Sequence, residues 1–132
     1  RDNYLLSNFL AENVVEDLMM ENISTIKADS DVVDAAKLML DKHVTHLPVV
    51  TDDNKLIGIV TSWDLSKSIV TDSNSLKDIM TTTVKYCNAG DTIEDVARQM
   101  RKFDISCLPV VDEDMVVLGS ITTDQISNLL SS

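Results

Sequence analysis

Glycine and proline are scarce in this 132-residue chain, three of one and two of the other, and cysteine occurs only twice. The glycines, Gly58, Gly90 and Gly119, are scattered, so no glycine-rich loop is available to cradle phosphates. Cys87 and Cys107 are expected to be reduced core residues rather than a disulfide. No run reaches the ~18 uninterrupted apolar residues of a membrane helix, and residues 1–15 lack the basic start and apolar stretch of a secretory signal. A soluble, cytoplasmic protein is expected. Positive charge is also short: 11 Lys and Arg against 22 Asp and Glu leave a net charge of −11, which argues against a surface that binds nucleic acid by neutralising phosphates. There is no nucleophile elbow, no Cys/His pairing signature and no metal-ligand cluster, so neither catalysis nor a bound metal is expected. The pair His43-x-x-His46 has no third ligand near it in sequence. The first residue is Arg rather than Met, so the chain is expected to be a processed product or an excised part of something longer.

What the chain does have is enough apolar residues, 44%, to bury a core, and a pattern written twice. Leu47-Pro48-Val49-Val50 recurs as Leu108-Pro109-Val110-Val111, and the same shift of 61 aligns Asp17 with Asp78, Met19 with Met80, Met39 with Met100, Gly58 with Gly119 and Thr61 with Thr122. Two copies are too few for a solenoid, so they are expected to pack face to face. In the second copy Ile93, Val96, Ala97 and Met100 make the stripe of a helix with one buried face, and Val32, Ala35, Ala36 and Met39 repeat it in the first. Two β-rich runs follow in each copy: Leu47–Val50 and Leu56–Val60, then Leu108–Val111 and Val116–Ile121. Short strands around Ile23–Ile26 and Val84–Cys87 precede the helices. Ser66 to Ser75 is expected to be a helix end and linker. The division is a lead-in helix over 1–14, apolar at Leu5, Leu6, Phe9, Leu10 and Val14, then copies over 15–70 and 71–132.

The duplication, the LPVV blocks and the following Gly-Ile-Val-Thr-x-x-Asp stretch, Gly58 to Asp64, resemble the cystathionine-β-synthase (CBS) domain pair over about residues 15–130. The likeness is to the archaeal and bacterial regulatory type. It implies an α+β fold of two β-α-β-β-α repeats about a pseudo-twofold axis, often dimerised into a homodimer. The implied function is a sensor, not an enzyme, that takes an adenosyl effector such as S-adenosylmethionine, methylthioadenosine, AMP or ATP in clefts shared by the repeats. An effector domain upstream in the same chain would receive the signal. The competing reading is a ligand-free structural or dimerisation module.

Thr61-Ser62-Trp63-Asp64 lies where a strand runs into a helix, and Asp64 there suits the two hydroxyls of a ribose. The same Thr61-x-x-Asp64 is equally a capping box that needs no ligand. By resemblance this cleft would use Thr61, Trp63, Asp64, His46 and Leu47 with Val84, Lys85, Tyr86, Ile105 and Ser106. The second cleft would use Ile23, Val44, Thr45, Cys107, Thr122 and Gln125. It is expected to be weaker, because Gln125 can close a capping box but lacks the anion, and Asp124 stands about 100° round the helix. Charge adds a tilt toward neutral or cationic ligands. At about 15 Å, each unit of ligand charge would feel roughly half a kcal/mol from the net charge, so ATP and S-adenosylmethionine would differ by about 2–3 kcal/mol.

Overall fold

A computed structural model of the chain describes residues 8–131. A helix, α1, occupies 8–12; Leu5 and Leu6 of the expected apolar stripe lie outside the described residues. A 3-10 turn over Val15–Asp17 follows, then β1 (Ile26–Lys27), α2 (Val32–Lys42), β2 (His46–Val50), β3 (Leu56–Thr61), α3 (Ser62–Thr71) and α4 (Leu76–Ile79). The second run is β4 (Cys87–Asn88), α5 (Ile93–Phe103), β5 (Cys107–Val111), β6 (Val117–Thr122) and α6 (Thr123–Ser131). The α+β class and the repeated order of elements are as the sequence implies. Three details refine the expectation. The leading strands start later, at Ile26 and Cys87, because each pairs in parallel with its neighbour through only two residues, Ile26–Lys27 on Val49–Val50 and Cys87–Asn88 on Val110–Val111. In the expected helix end and linker over Ser66 to Ser75, the helix runs on to Thr71 and is ended by Asp72 in the left-handed conformation. Finally, a short helix not foreseen from the sequence, α4, follows, with Leu76 and Ile79 buried.

There are two compact units, each with a three-stranded sheet: Ser24–Val84, with order β1-β2-β3, and, among the described residues, those up to Ile23 joined to those from Lys85 onward, with order β4-β5-β6. The stretch ahead of each repeat's first strand therefore belongs to the unit of the other repeat. Met20 exchanges both backbone hydrogen bonds with Ser120, at 2.9 and 2.9 Å, and 61 residues on, Thr81 does the same with Ile59, at 2.9 and 3.0 Å. Gly119 is required for this close approach, since a Cβ there would strike the backbone carbonyl of Met20. The same pairing explains a proline in each central strand. Ile59 and Ser120 turn their backbone groups outward to Thr81 and Met20, so Pro48 and Pro109 opposite them sit where the β2–β3 and β5–β6 ladders need no donor.

Each unit has its own core. In Ser24–Val84 it is built from Ile26, Ala35, Met39, Leu47, Val49, Val60, Leu76 and Ile79. In the other unit Val15, Cys87, Ile93, Val96, Met100, Leu108, Val110, Ile121 and Ile126 form it, with Leu10 of α1 and Leu18 packed on its flank. The lead-in helix thus finds a partner for Leu10 in the core built by the second repeat. The helix stripes fall where periodicity puts them: Ala35 and Met39 are buried on α2, Ile93, Val96 and Met100 on α5. Burying a large side chain such as Leu47 or Leu108 completely stabilises the fold by about 1.5–3 kcal/mol. Both cysteines are free thiols, and burial pushes Cys87 up to about 12 and Cys107 up to about 11.

Candidate functional site

Strand β3 runs into α3 with no intervening loop, so Thr61 is both the last strand residue and the helix N-cap. Its hydroxyl accepts the Asp64 N–H at 3.2 Å, and Asp64 Oδ2 reaches back to accept from Thr61 N at 2.9 Å and Thr61 Oγ1 at 3.1 Å. This is a closed capping box. The Ser62 N–H, also at the helix start, donates to the Thr45 carbonyl at 3.0 Å. Asp64 is buried, 3% exposed. Its other oxygen, Oδ1, is held by Lys67 Nζ at 2.9 Å, one turn along the helix. Lys67 itself is 47% exposed along its side chain, so water reaches the pair.

The antiparallel register puts His46 directly opposite Thr61 and so brings the residue before the first LPVV block to the helix start. His46 is half-buried, with Nδ1 2.9 Å from Thr45 Oγ1. Burial lowers its affinity for a proton below the ordinary histidine value, and the charge on Asp64 partly opposes that shift. Trp63 projects from the first turn of α3 and is 74% exposed. Leu47, expected beside these residues, has no exposed surface and packs into the core, so only its backbone is left to meet a ligand. Val84, at the end of the same unit, is half-buried.

The remaining expected residues lie in the other unit. Lys85 is exposed, with its ammonium 4.1 Å from the centre of the Phe103 ring. Tyr86 is exposed too, and its carbonyl accepts from Gln99 Nε2 at 3.4 Å. Ile105 packs against the core, while Ser106 is exposed. Both line a groove of about 570 Å³ between α5 and α6, floored by Met100 and Ile126 and rimmed by Arg101 and Asp104.

Of the residues expected in the second cleft, Ile23, Cys107 and Thr122 are half-buried, whereas Val44 packs on the Ser24–Val84 core and Thr45 is exposed. Gln125 reproduces the capping box at the start of α6, with Oε1 accepting from Thr122 N at 2.9 Å and from Thr122 Oγ1 at 3.3 Å. Its Nε2 donates to the Leu18 carbonyl at 3.0 Å. That bond, which ties the leading segment to α6, was not foreseen, because it spans 107 residues with no local pattern. The Lys67–Asp64 pair was also missed, although its i,i+3 spacing on a helix is a readable signal. Among the described residues no cluster of His, Cys, Asp and Glu is placed to hold a metal ion, and no helix is long and apolar enough to cross a membrane.

The CBS domain family model matches twice, over residues 15–71 and 76–132. The chain belongs to the CBS-domain family. It is 59% identical over 130 residues to a homoserine O-acetyltransferase of Methanobrevibacter ruminantium, an alignment covering 98% of this chain and 26% of that protein. This CBS chain therefore spans about a quarter of the length of the curated relatives it matches. Among solved structures, the CBS domain pair of protein MJ0100 in complex with 5′-methylthioadenosine and S-adenosyl-L-methionine is 34% identical, with a TM-score of 0.80 over 90% of this chain and 96% of that one. The structure of CBSX2 in complex with AMP is 30% identical, with a TM-score of 0.81 over 89% and 95%.

Proposed function

We propose that this CBS pair is a regulatory module that binds an adenosyl compound at the start of α3, with the Asp64 carboxylate gripping the ribose and Trp63 and His46 beside it. One observation carries this reading. Asp64 is buried at a helix start with one carboxylate oxygen more than its capping box uses, next to an exposed tryptophan. A carboxylate accepting two hydroxyl donors makes charge-assisted hydrogen bonds, and the flat indole offers a face to a base or a methylthio group. The likeness to pairs solved with S-adenosyl-L-methionine, 5′-methylthioadenosine and AMP supports the same class of ligand. No metal, cofactor or catalytic group takes part, and the module works in the cytoplasm. A ligand that favours one arrangement of the chain shifts the population toward it, and whatever is attached follows.

The enzyme named for the curated relatives suggests what is regulated. Acetylation turns the side-chain hydroxyl of homoserine into a leaving group, and the amino-acid part of S-adenosylmethionine is homoserine with sulfur in place of that oxygen. A sensor for such a product, carried in one protein with an acetyltransferase of that kind, would let the product restrain its own supply.

The test is a melting assay with S-adenosylmethionine, methylthioadenosine, AMP, ATP and a guanosine control. At a concentration 100 times Kd, a ligand of the folded state adds about 2.7 kcal/mol of stability. No shift with any adenosyl compound would leave the structural alternative, a module that only joins copies of a larger protein. Exposed Leu40, Ile69 and Val70 on α2 and α3 favour a self-associating surface in either case, and we propose a homodimer, measured by sedimentation.

A further inference from the structure

The two repeats form an internal control at the helix start. At a shift of 61, Asp64 and Lys67 correspond to Gln125 and Asn128, so both charges are present in one copy and both are absent in the other. The capping hydrogen bonds are nevertheless the same. Backbone N to side-chain oxygen is 2.9 Å in both, the return bond to the threonine hydroxyl is 3.2 Å in both, and the hydroxyl contact is 3.1 against 3.3 Å. A neutral amide therefore caps this helix as well as a carboxylate does. What the charged copy adds is Oδ1, an acceptor the cap does not use, and an ammonium to hold it.

We propose that Lys67 is the specificity-determining residue of the α3 site, selecting adenosyl ligands that carry an anionic group. Resting on the adenosyl reading above, the scheme is an exchange of partners. A ribose diol takes Oδ1, and the released ammonium, on a flexible and half-exposed stem, pairs with a phosphate or carboxylate of the same ligand. The buried carboxylate is satisfied before and after, so binding leaves no orphaned charge. A neutral ligand displaces Lys67 without offering it a new partner, whereas an anionic one restores an ion pair. Gln125 and Asn128 have no charges to exchange.

The test is calorimetry with AMP and 5′-methylthioadenosine, which differ at the 5′ substituent, on the chain and its Lys67→Met, Lys67→Gln and Lys67→Arg variants. A charge-assisted hydrogen bond supports a preference of roughly tenfold. Lys67→Met and Lys67→Gln should lower the AMP to methylthioadenosine affinity ratio by about that factor, with methylthioadenosine binding unchanged or tighter, and Lys67→Arg should keep it. The net charge of −11 lowers AMP affinity in all forms and largely cancels when the ratio is compared between variants. A ratio within about twofold of the original in both neutral variants, or equal losses for both ligands, overturns the role of Lys67 and leaves adenosyl binding standing. Failure of the unaltered chain to bind any adenosyl compound overturns the underlying reading and this proposal together. Should Lys67→Met not fold, the half-exposed position lets Lys67→Gln carry the comparison.

Discussion

Replacing Asp64 by asparagine separates its capping role from the binding role proposed for it. The amide oxygen can still accept from Thr61 N and Thr61 Oγ1, which lie 2.9 and 3.1 Å from Asp64 Oδ2, and the Thr61 hydroxyl can still accept the residue-64 N–H. Gln125 shows that an amide does this work in the same setting. The ion pair with Lys67 is lost, but with half of that side chain in water the pair contributes no more than about 0.5–1 kcal/mol. For a chain of this size the melting temperature should fall by no more than about 5 °C. Binding should respond far more. Losing the anionic acceptor removes about 1.5–3 kcal/mol, a weakening of about 10- to 150-fold in affinity. Calorimetry for the ligand and a melt for the fold, on Asp64→Asn beside Gln125→Ala, read the two effects separately. An Asp64→Asn variant that binds like the original while its melting temperature drops by more than about 8 °C would make the carboxylate purely structural. Loss of binding in Gln125→Ala with none in Asp64→Asn would place the site at the start of α6 instead.

Three further outcomes follow from contacts of known geometry. Gln125→Glu sets a carboxylate oxygen against the Leu18 carbonyl in place of a donor at 3.0 Å and should destabilise the fold by about 1–3 kcal/mol, measured by denaturant melts; an unchanged midpoint would mean the bond contributes nothing. Gly119→Ala drives a Cβ into the Met20 backbone, whereas at Gly58 the nearest obstacle is the flexible Met80 thioether at 2.9 Å, with the Thr81 carbonyl at 3.1 Å. Gly119→Ala should therefore be the more damaging and open the chain to protease around residue 20; equal effects would refute the comparison. His46 takes up a proton less readily folded than unfolded, so its contribution is fully present above its ordinary value of 6.5 and is lost as pH falls through its lowered folded value. In His46→Asn the loss of stability between about pH 6.5 and 5 should be shallower than in the original, and identical slopes would show that the histidine is not responsible.

Helices and hairpins were readable because each carries its own local code. The stripe Ile93, Val96, Met100 has a period that only a helix satisfies, and the two LPVV blocks are β-rich runs bounded by turn residues. Two-residue strands such as Ile26–Lys27 carry too little pattern to be bounded from sequence. The swapped leading segments escaped notice for another reason. Met20 and Ser120 meet through backbone atoms, which leave no side-chain signature except the glycine beside them. At the site, the Thr61–Asp64 box was visible as spacing, but Leu47 was not separable from its neighbours. Resemblance marks the whole stretch before the strand, while alternation along β2 and β3 decides which side chains point inward.

Duplication makes it possible to ask which residues the fold needs and which it only tolerates. Positions that both copies must satisfy alike serve the fold: Thr61 and Thr122 cap their helices, Gly58 and Gly119 admit a passing backbone, and Asn54 and Met115 take the left-handed turn of each hairpin at φ 65 and 68. That a methionine accepts a conformation better suited to asparagine shows how firmly the hairpin imposes it. Positions where the copies differ while the local geometry stays the same are free of that demand. Asp64 with Lys67 against Gln125 with Asn128 is such a place. Each copy has put the surplus valence to a separate use: Gln125 turns its amide to Leu18 and strengthens the unit, while Asp64 keeps an acceptor whose partner is half in water and exchangeable. An anchored amide rigidifies and a solvated ion pair can be replaced, so on the proposed reading binding falls to the start of α3, with the start of α6 as its structural counterpart.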